Sequence, residues 1–251
     1  MEQFPHGIAL IINNEEFTSK SARKGTAIDE RNLTHIFRYL GYKVEVHRDQ
    51  KSQEMLEIMI QIGGRSHEMY DSFVCCILSH GTEGHVYGIH GEKLSLHELT
   101  EKVDAMHCPT LRGKPKLFFL QACRGKFKEV AVSVKTDSDE SLPAYFSQPL
   151  THSGAVSHTI TTDSDNEIPM TADFYFGHAT PLGYVAWRDE EHGSWYVSEL
   201  CRSLCEMYRY ASLDNIMNEV RKRVATGDRY EHIGWRVSPE STTRLRKDVF
   251  F

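Results

Sequence analysis

The sequence predicts an α/β fold in which a mostly parallel sheet carries helices on both faces. Strand-like and helix-like segments alternate along the first half of the chain, the order that joins parallel strands through crossover helices. The strand-like segments are unbroken apolar runs, as expected for strands covered on both sides. With 251 residues, of which 40% are hydrophobic, the chain can bury one large core, either as one domain or as two pieces that share it.

The elements of the first half follow from apolar periodicity and from glycine. A strand is predicted over residues 6–13 (HGIALIIN), and a helix over 28–40, whose apolar residues share one face and whose end Gly41 caps. After them come a strand over 42–47, a helix that presents Met55, Ile58, Met59 and Ile62 and ends at Gly63-Gly64, a strand over 72–79, a helix marked by Leu96, Leu99 and Val103, and a strand over 116–122.

A long polar stretch divides the second half. Residues 126–171 are rich in Ser, Thr, Asp and Pro without a lasting apolar period, and such runs inside a domain are usually functional or disordered. The stretch contains an echo, because 135–140 reads KTDSDE and 161–166 reads TTDSDN. The elements predicted beyond it are a strand from Ala172 (ADFYFGHAT), a strand over 183–188, a helix through Val197, Leu200, Cys201 and Leu204, a helix through Leu213, Ile216, Val220 and Val224, and an extended tail (TTRLRKDVFF).

Composition argues against several classes of protein. The net charge of -6 comes from 29 basic and 35 acidic residues without a basic block, so neither nucleic acid nor an anionic membrane is an expected partner. No apolar run approaches the roughly 20 residues that span a bilayer, and the start, MEQFPHGIALIINN, lacks the build of a secretory signal. The six cysteines form no CxxC pair, so we expect reduced thiols in the cytoplasm and no metal, redox site or cofactor.

Two residues with complementary chemistry follow directly after predicted strands. His80 directly follows the run SFVCCILS (72–79), and Cys123 directly follows the run KLFFLQA (116–122). Ligands of parallel α/β sheets bind beyond the carboxyl ends of strands. A cysteine nucleophile reacts as its thiolate and therefore needs a base nearby. Any one of the 14 histidines is weak evidence, but His80 is distinguished by its strand-end position and by Gly81, which lets backbone approach a substrate closely.

Longer blocks of sequence surround these two residues. They are IINN at 11–14, FVCCILSHGTEGHVYG at 73–88, GKPKLFFLQACRG at 113–125, ADFYFGHAT at 172–180 and GSWYVSELC at 193–201. With QACRG around Cys123 and a histidine some tens of residues upstream, the chain resembles the caspase family from about Gly7 to Phe251. The resemblance implies a three-layer sandwich with a six-stranded, mostly parallel sheet. It also implies one catalytic domain made of a large-subunit region at 1–137, a cleavable linker at 138–163 and a small-subunit region at 164–251.

The resemblance assigns catalytic roles to residues that match the family motifs. Cys123 is the nucleophile of an aspartate-specific cysteine endopeptidase, and His80 transfers the proton. The backbone N–H groups of Gly81 and Cys123 form the oxyanion hole. A backbone carbonyl, here near Ser21, orients the histidine in place of a carboxylate.

The resemblance also places the substrate aspartate between Arg23, Gln121 and Arg188. Guanidinium groups bind a carboxylate through paired, charge-assisted hydrogen bonds. Two desolvated cations disfavour a neutral side chain, since their charges would stay unpaired. An alternative for Arg23 from the sequence alone is a solvated base beside Lys20 and Lys24.

Four further residues match positions that line the neighbouring subsites. Trp187 and Trp195 form walls, although either tryptophan alone would sooner be assigned to the core. Val185 stands where executioner caspases have an aromatic residue, and should open the subsite next to the aspartate. Asp189 replaces an asparagine and should repel an acidic side chain four positions into the recognition sequence. These two departures from the executioner pattern favour an initiator caspase or a caspase of a mixed, invertebrate-like type.

The polar stretch offers two cleavage sites after aspartate, Asp137 and Asp163. Both are preceded by a β-branched aliphatic residue at the fourth position (VKTD and ITTD), which agrees with the prediction for Asp189. The sequence therefore predicts a precursor cut in its linker and a preference for aliphatic-x-Thr-Asp. The alternative is a merely flexible, solvated loop, which is also what a protease requires of a cleavage site.

The resemblance implies several partners. These are protein substrates with exposed aspartate-containing loops, a second copy of the chain joined through the last strand, an upstream activating caspase and inhibitor proteins, in proteolytic signalling such as apoptosis. Two alternatives stay open: a non-catalytic scaffold of the same family, and a protease of the same fold that cuts after Lys or Arg. The chain starts at the first strand of the fold, as expected for a short executioner type or for a catalytic domain cut from a longer initiator.

Overall fold

Six strands form the central sheet of the protein, seen in a computed structural model that describes residues 1–129, 168–226 and 236–251. They are β1 (Gly7–Asn13), β2 (Tyr42–Arg48), β3 (Ser72–Leu78), β4 (Lys116–Gln121), β5 (Phe174–His178) and β6 (Glu240–Thr243). Their order is β6-β5-β4-β3-β1-β2, and every neighbouring pair is parallel except the antiparallel pair β5–β6. The predicted six-stranded, mostly parallel sheet is confirmed.

Helices cover both faces of this sheet. They are α1 (Thr26–Tyr39), α2 (Ser52–Gly63), α3 (Leu96–Glu101), α4 (Trp195–Met207) and α5 (Leu213–Thr226). Buried residues of α1, α4 and α5 pack with one face of the sheet, and those of α2 and α3 pack with the other, so three layers enclose two apolar clusters. No helix in the described part of the chain has the length and apolar composition needed to cross a membrane.

The unbroken apolar runs become the interior strands because side chains alternate between the two clusters. In β1, Ala9 and Ile11 point to the α1 side, while Leu10 and Ile12 point to the α2 side. All seven residues of β1 and of β3 are buried. Burial of one such aliphatic side chain contributes about 1.5–3 kcal/mol, so a polar substitution on either face of these strands is costly.

Three predicted details differ from the structure. Residues 183–188 are not one strand: Gly183–Tyr184 pairs with Gly125–Phe127, and Arg188–Asp189 pairs with Gly193–Ser194. A small three-stranded sheet after β3, made of Gly81–Thr82, His85–Tyr87 and Lys93–Ser95, was not predicted. The last strand, β6, begins before the predicted tail and ends at its second residue.

The pairing of β3 with β4 positions the candidate site. Leu78 lies opposite Gln121 in this parallel pair. Ser79 extends it, because its N–H donates to the Gln121 carbonyl at 3.2 Å. His80 and Cys123 each follow two residues after that last matched pair, so they leave the sheet side by side at its carboxyl edge.

Candidate active site

A backbone carbonyl holds the imidazole of His80. Nε2 of His80 lies 2.9 Å from the carbonyl oxygen of Ser21, the contact expected from the sequence. A carbonyl only accepts hydrogen bonds, so Nε2 carries the proton and Nδ1 of the neutral ring is left as the basic nitrogen. The Phe17 ring packs edge-on against the imidazole, with centroids 4.6 Å apart.

The electrostatic surroundings favour the neutral form of this histidine. Burial lowers the pKa of His80, and the positive charges of Arg23, Lys20 and Arg188 lower it further, against the hydrogen bond to Ser21, which raises it. A neutral imidazole at pH 7 can accept a proton from a thiol. The ring is therefore prepared for the role of a base.

The backbone around Cys123 is tightly packed. A Cβ added to Gly81 would lie 2.7 Å from the Cys123 carbonyl oxygen, so only glycine allows the two strand ends to approach this closely. The Cys123 sulfur accepts the N–H of Ala186 at 3.4 Å, a contact that sequence reasoning missed. The N–H of Cys123 has no acceptor among residues 1–129, 168–226 and 236–251. It remains available as a donor to a substrate oxygen.

Arg23 is fully buried beside this edge, rather than solvated like Lys24. Its Nη1 donates to the carbonyl of Asn14 and to the hydroxyl of Thr26, each at 3.0 Å. Burial lowers the pKa of Arg23 to about 9, helped by the charge of Arg188. The guanidinium thus stays cationic at neutral pH, and its other N–H groups donate to no residue in the described ranges.

Arg188 supplies the second cation. Its Nε donates to the Lys24 carbonyl at 2.7 Å, which leaves the terminal nitrogens without a partner among the described residues. Burial lowers the pKa of Arg188, while the charges of Asp29 and Cys123 raise it. The charge of Cys123 also raises the pKa of Arg23, so both predicted arginines lie within electrostatic range of the predicted nucleophile.

Asp29 is a member of this site that the sequence did not reveal. It lies in the first turn of α1 and accepts the Ser194 N–H at 2.7 Å and the Ser194 hydroxyl. Burial raises the pKa of Asp29, while the Ser194 hydrogen bonds and the charges of Arg23 and Arg188 lower it. The sequence around Asp29 shows only a helical pattern, and its partner Ser194 is 165 residues away. No local feature of the sequence therefore marks Asp29 as part of the site.

Gln121 reaches the same side of the sheet from the end of β4. Its side chain is buried, and Nε2 donates to the Trp187 carbonyl at 3.3 Å. The amide nitrogen carries two hydrogens, so one of them is left for a substrate carboxylate. Oε1 is buried without a hydrogen-bond partner in the part of the chain that is described.

Three predicted subsite residues, Val185, Trp187 and Asp189, lie close together in the chain, and the fourth, Trp195, is the first residue of α4. The rings of Trp187 and Trp195 stack, with centroids 6.3 Å apart and planes 18° apart. Val185 is half-buried, and its N–H donates to the Phe127 carbonyl at 2.9 Å. Asp189 accepts the N–H groups of Glu191 and His192 at 2.8 Å each.

A cavity of about 150 Å³, lined by Cys123 itself, lies on the α3 side of the sheet. Leu120, Ala122, Arg124 and His178 are among its lining residues, and neither Arg23 nor Arg188 belongs to it. The predicted cleavage sites Asp137 and Asp163 lie outside the described residues.

Comparisons with known proteins agree with this geometry. The family model for the caspase domain matches residues 6–250. Caspase-8 of Rattus norvegicus is 34% identical over 265 residues, covering 100% of this chain and 52% of that protein. Caspase-3 of Mus musculus is 35% identical, covering 88% and 73%, and caspase-7 of Gallus gallus is 34% identical, covering 98% and 77%. The chain spans about half the length of the caspase-8 relatives that it matches.

Proposed function

The chain belongs to the caspase family, and from this membership we propose that it is a cysteine endopeptidase that cleaves peptide bonds after aspartate. The observation that carries the proposal is the pair of desolvated arginines beside the cysteine. Arg23 and Arg188 retain N–H groups that donate to no described residue. A short carboxylate is the ligand that would pair with both charges.

The proposed reaction uses the groups at the strand ends. His80 Nδ1 takes the proton of the Cys123 thiol, and the sulfur attacks the carbonyl carbon, forming a C–S bond. The N–H groups of Gly81 and Cys123 stabilise the oxyanion. His80 then protonates the leaving amine as the C–N bond breaks, which leaves a thioester. Water, deprotonated by His80, attacks the thioester, and the thiol and the new carboxyl end are released.

Peptide turnover tests this proposal. We expect Ile-Thr-Thr-Asp peptides to be cut up to about ten-thousandfold better than Ile-Thr-Thr-Asn peptides, because asparagine leaves the buried charges unpaired. Arg188→Gln should lose most of this activity, whereas Arg65→Gln, an arginine paired with Glu45, should keep it. An aspartyl electrophile should label Cys123 in intact-mass and peptide-mass spectra. Equal turnover of both peptides, or labelling only at another cysteine, would refute the assignment, and the second result would favour the scaffold alternative.

We further propose a preference for an aliphatic residue at the fourth recognition position. Asp189 supports it, because hydrogen bonds from His192 and the Glu191 N–H lower the pKa of Asp189 and keep its carboxylate ionised at neutral pH. An acidic substrate side chain near it would be repelled. Matched Ile-x-Thr-Asp and Asp-x-Thr-Asp peptides test this, and a preference for Asp at that position would contradict it.

The proposed precursor is cut at Asp137 and Asp163, between a large region at 1–137 and a small one at 164–251. The support is sequence alone: VKTD and ITTD both fit the proposed preference. A double Asp137→Ala, Asp163→Ala variant should be recovered as an intact chain. Cleavage of that variant in the same segment would show that the sites are elsewhere.

A symmetric dimer through β6 is also proposed. Within the described residues β6 pairs only with β5, and an exposed strand edge invites pairing with another chain. Light scattering should give about twice the 28.8 kDa chain mass, and a fully active monomer would argue against the dimer. The proposed setting is apoptotic signalling in the cytoplasm. All six cysteines are free thiols, as expected in a reducing compartment.

A further inference from the structure

The exposed face of α1 carries basic residues that lack acidic partners. Arg31, His35 and Arg38 are all exposed, and their spacing of four and three residues places them on one face of the helix. None of the three forms an ion pair within the described ranges. The charge is local, because the whole chain carries -6. This face therefore attracts anions although the protein as a whole repels them.

Aromatic side chains continue this face at the end of α1. Tyr39 is 55% exposed, and its ring lies 5.5 Å from that of Tyr208, just beyond α4. The two phenol oxygens are 3.1 Å apart. Arg209 donates from Nε to the Tyr208 oxygen at 2.8 Å and places its guanidinium carbon 5.4 Å from the Tyr208 ring centroid. Tyrosine and arginine, together with tryptophan, are enriched among the residues that contribute most to binding at protein interfaces.

Neighbouring acids do not neutralise this surface. The nearest acid on α4 in sequence is Glu206, which already pairs with Arg202 at 3.0 Å and with Arg223 at 2.6 Å. Hydrogen bonds with Tyr39 and Arg209 lower the pKa of Tyr208, and the hydrogen bond with Tyr208 raises the pKa of Arg209; no carboxylate contributes to either shift. Arg38 alone could be explained by its place in the last turn of α1, where a cation stabilises the helix end. That explanation does not extend to Arg31, His35 or the exposed tyrosine.

We propose that this basic-aromatic strip is a docking site for an acidic segment of protein substrates, outside the cleavage cleft. The strip consists of Arg31, His35, Arg38, Tyr39, Tyr208 and Arg209. The proposal rests on the proposed endopeptidase function and adds a second point of recognition to it. An Asp/Glu-rich peptide segment supplies complementary charge to the arginines, and apolar side chains within it can pack on the two tyrosine rings.

The geometry of α1 links the strip to the aspartate socket. Arg23 precedes the helix by three residues. At a rise of about 1.5 Å per residue, Arg31 lies about 8 Å and Tyr39 about 20 Å along the axis from Thr26. An extended chain covers about 3.3 Å per residue. A substrate whose acidic segment starts about three to six residues beyond the cleft residues can therefore occupy both sites at once.

Protein is favoured over nucleic acid as the occupant by two observations. The strip spans only about 12 Å along the helix, from Arg31 to Tyr39, by the helix rise, and the rest of a chain with net charge -6 would repel a long polyanion. The cleavage chemistry also requires a polypeptide to be present next to α1. A single-stranded oligonucleotide is the competitor that distinguishes the two occupants.

The test compares matched peptide substrates. Each contains an Ile-Thr-Thr-Asp cut site and, through a Gly-Ser spacer, a six-residue Asp/Glu block or its Asn/Gln counterpart, placed before or after the cut. At low salt, and for one of the two placements of the block, we expect kcat/KM to be about five- to tenfold higher with the acidic block than with its Asn/Gln counterpart. The advantage should disappear at 1 M salt, where the screening length is about 3 Å.

Two double variants locate the effect. Arg31→Gln with Arg38→Gln should abolish the advantage of the acidic block and leave turnover of the bare tetrapeptide within about twofold, since exposed charges away from the cleft have little effect on the chemistry. Lys93→Gln with Lys247→Gln removes the same charge from exposed positions elsewhere and should keep the advantage. Loss of the advantage in both variants, or in neither, would overturn the proposal.

A binding measurement separates this proposal from the proposed catalysis. In the Cys123→Ala chain, a fluorescent acidic-block peptide without a cut site should bind by anisotropy, and the Arg31→Gln, Arg38→Gln substitutions should weaken binding about fivefold or more. If the acidic peptide binds but the native chain does not cleave the tetrapeptide, the proposed endopeptidase function is refuted and the docking site is not. The oligonucleotide competitor is a single strand of twelve thymidines. If it binds more tightly than the acidic peptide and the Arg31→Gln, Arg38→Gln substitutions weaken its binding, the strip is a nucleic-acid site and the peptide assignment is refuted.

Discussion

His80 is oriented by a peptide carbonyl, and this choice of partner affects its charge. A carboxylate would favour the protonated ring, whereas the Ser21 carbonyl has a dipole but no net charge. Burial and the cations Arg23, Lys20 and Arg188 then lower the pKa of the ring. The two arginines of the proposed aspartate socket thus also help to keep the imidazole unprotonated.

The pH profile follows from this arrangement. Because burial and nearby cations lower the pKa of His80 below the ordinary histidine value of about 6.5, the acidic limb of kcat/KM should lie below pH 6.5. Lys20→Gln removes one of the charges that lowers this pKa, so the limb should move to higher pH. Lys24→Gln, whose ammonium faces Glu190 at 3.9 Å, serves as the control. A limb that does not move in Lys20→Gln would argue against His80 as the titrating base.

Asp29 gives a second prediction at the same scale. Asp29→Asn leaves one Ser194 donor without an acceptor and removes the buried counter-charge of the two arginines. We expect a loss of about 2–4 kcal/mol in the free energy of unfolding. KM for Asp peptides should not rise, because the native carboxylate repels the substrate carboxylate.

Denaturant unfolding and steady-state kinetics on the same preparations check this prediction. Glu45→Gln, an exposed acid paired with Arg65, provides a control that should change stability by less than about 1 kcal/mol. A stable Asp29→Asn enzyme with a raised KM would mean that Asp29 contacts the substrate.

The ends of β3 and β4 act as one unit, because Gly81 touches the backbone of Cys123. Gly81→Ala would place a Cβ 2.7 Å from the Cys123 carbonyl oxygen and 2.8 Å from the Ala122 Cβ. Both are rigid groups, so the strand ends must separate. The proposed oxyanion donors would separate with them.

We therefore expect kcat of Gly81→Ala to fall by about a hundredfold or more, as on removal of an oxyanion donor. KM should change little, because the arginine socket lies on other segments. Gly84→Ala is the matched control in the same loop, since a Cβ there meets nothing within 4 Å, although its φ of +67° carries its own strain. Near-normal kcat in folded Gly81→Ala would refute the proposed oxyanion geometry.

The elements that sequence predicted well are those that bury long apolar runs. β1 and β3 each have seven buried residues, and an apolar run of this length rich in β-branched residues favours a strand covered on both faces over a buried helix. Residues 183–188 failed as a strand because Gly183 has a φ of +90° and the segment pairs with two different partners. The small sheet after β3 has strands of two or three residues, too short for any period to appear.

The site was predictable where a motif marks a strand end and unpredictable where tertiary contacts define it. His80 and Cys123 follow apolar runs, so their proximity followed from parallel topology. The burial of Arg23 required the family resemblance, because nothing in the adjacent sequence distinguishes it from the exposed Lys24. Asp29 has a helical context and a partner far along the chain, so no local pattern distinguished it.

At the scale of the whole molecule, the socket is assembled from segments on both sides of the polar stretch. Arg188 donates to the Lys24 carbonyl, and Gln121 donates to the Trp187 carbonyl. These contacts are noncovalent and bridge residues before 130 with residues after 167. The proposed aspartate socket therefore depends on the folding of segments from both parts of the chain.

The stability of the fold in acid depends on His178, which lies at the end of β5. Its side chain is 8% exposed, and burial, with the nearby charge of Arg124, lowers the pKa of His178 to about 4. The unfolded chain binds a proton at this residue near pH 6.5, so it holds more protons than the folded chain between pH 6.5 and 4. Stability from this residue is complete above pH 6.5 and is lost as pH falls through that window, by about 3 kcal/mol in all.

His178→Gln should remove this contribution, so the variant should lose about 3 kcal/mol less than the native chain between pH 8 and pH 4. Urea unfolding at each pH, followed by tryptophan fluorescence, measures the difference. His97→Gln replaces an exposed histidine and should follow the native pH dependence. His178 is paired with Leu120 of β4 on one side and with Glu240 of β6 on the other, so we expect its exposure to accompany the global opening of the sheet. Equal acid sensitivity of the native chain and His178→Gln would show that the buried imidazole is not what destabilises the fold in acid.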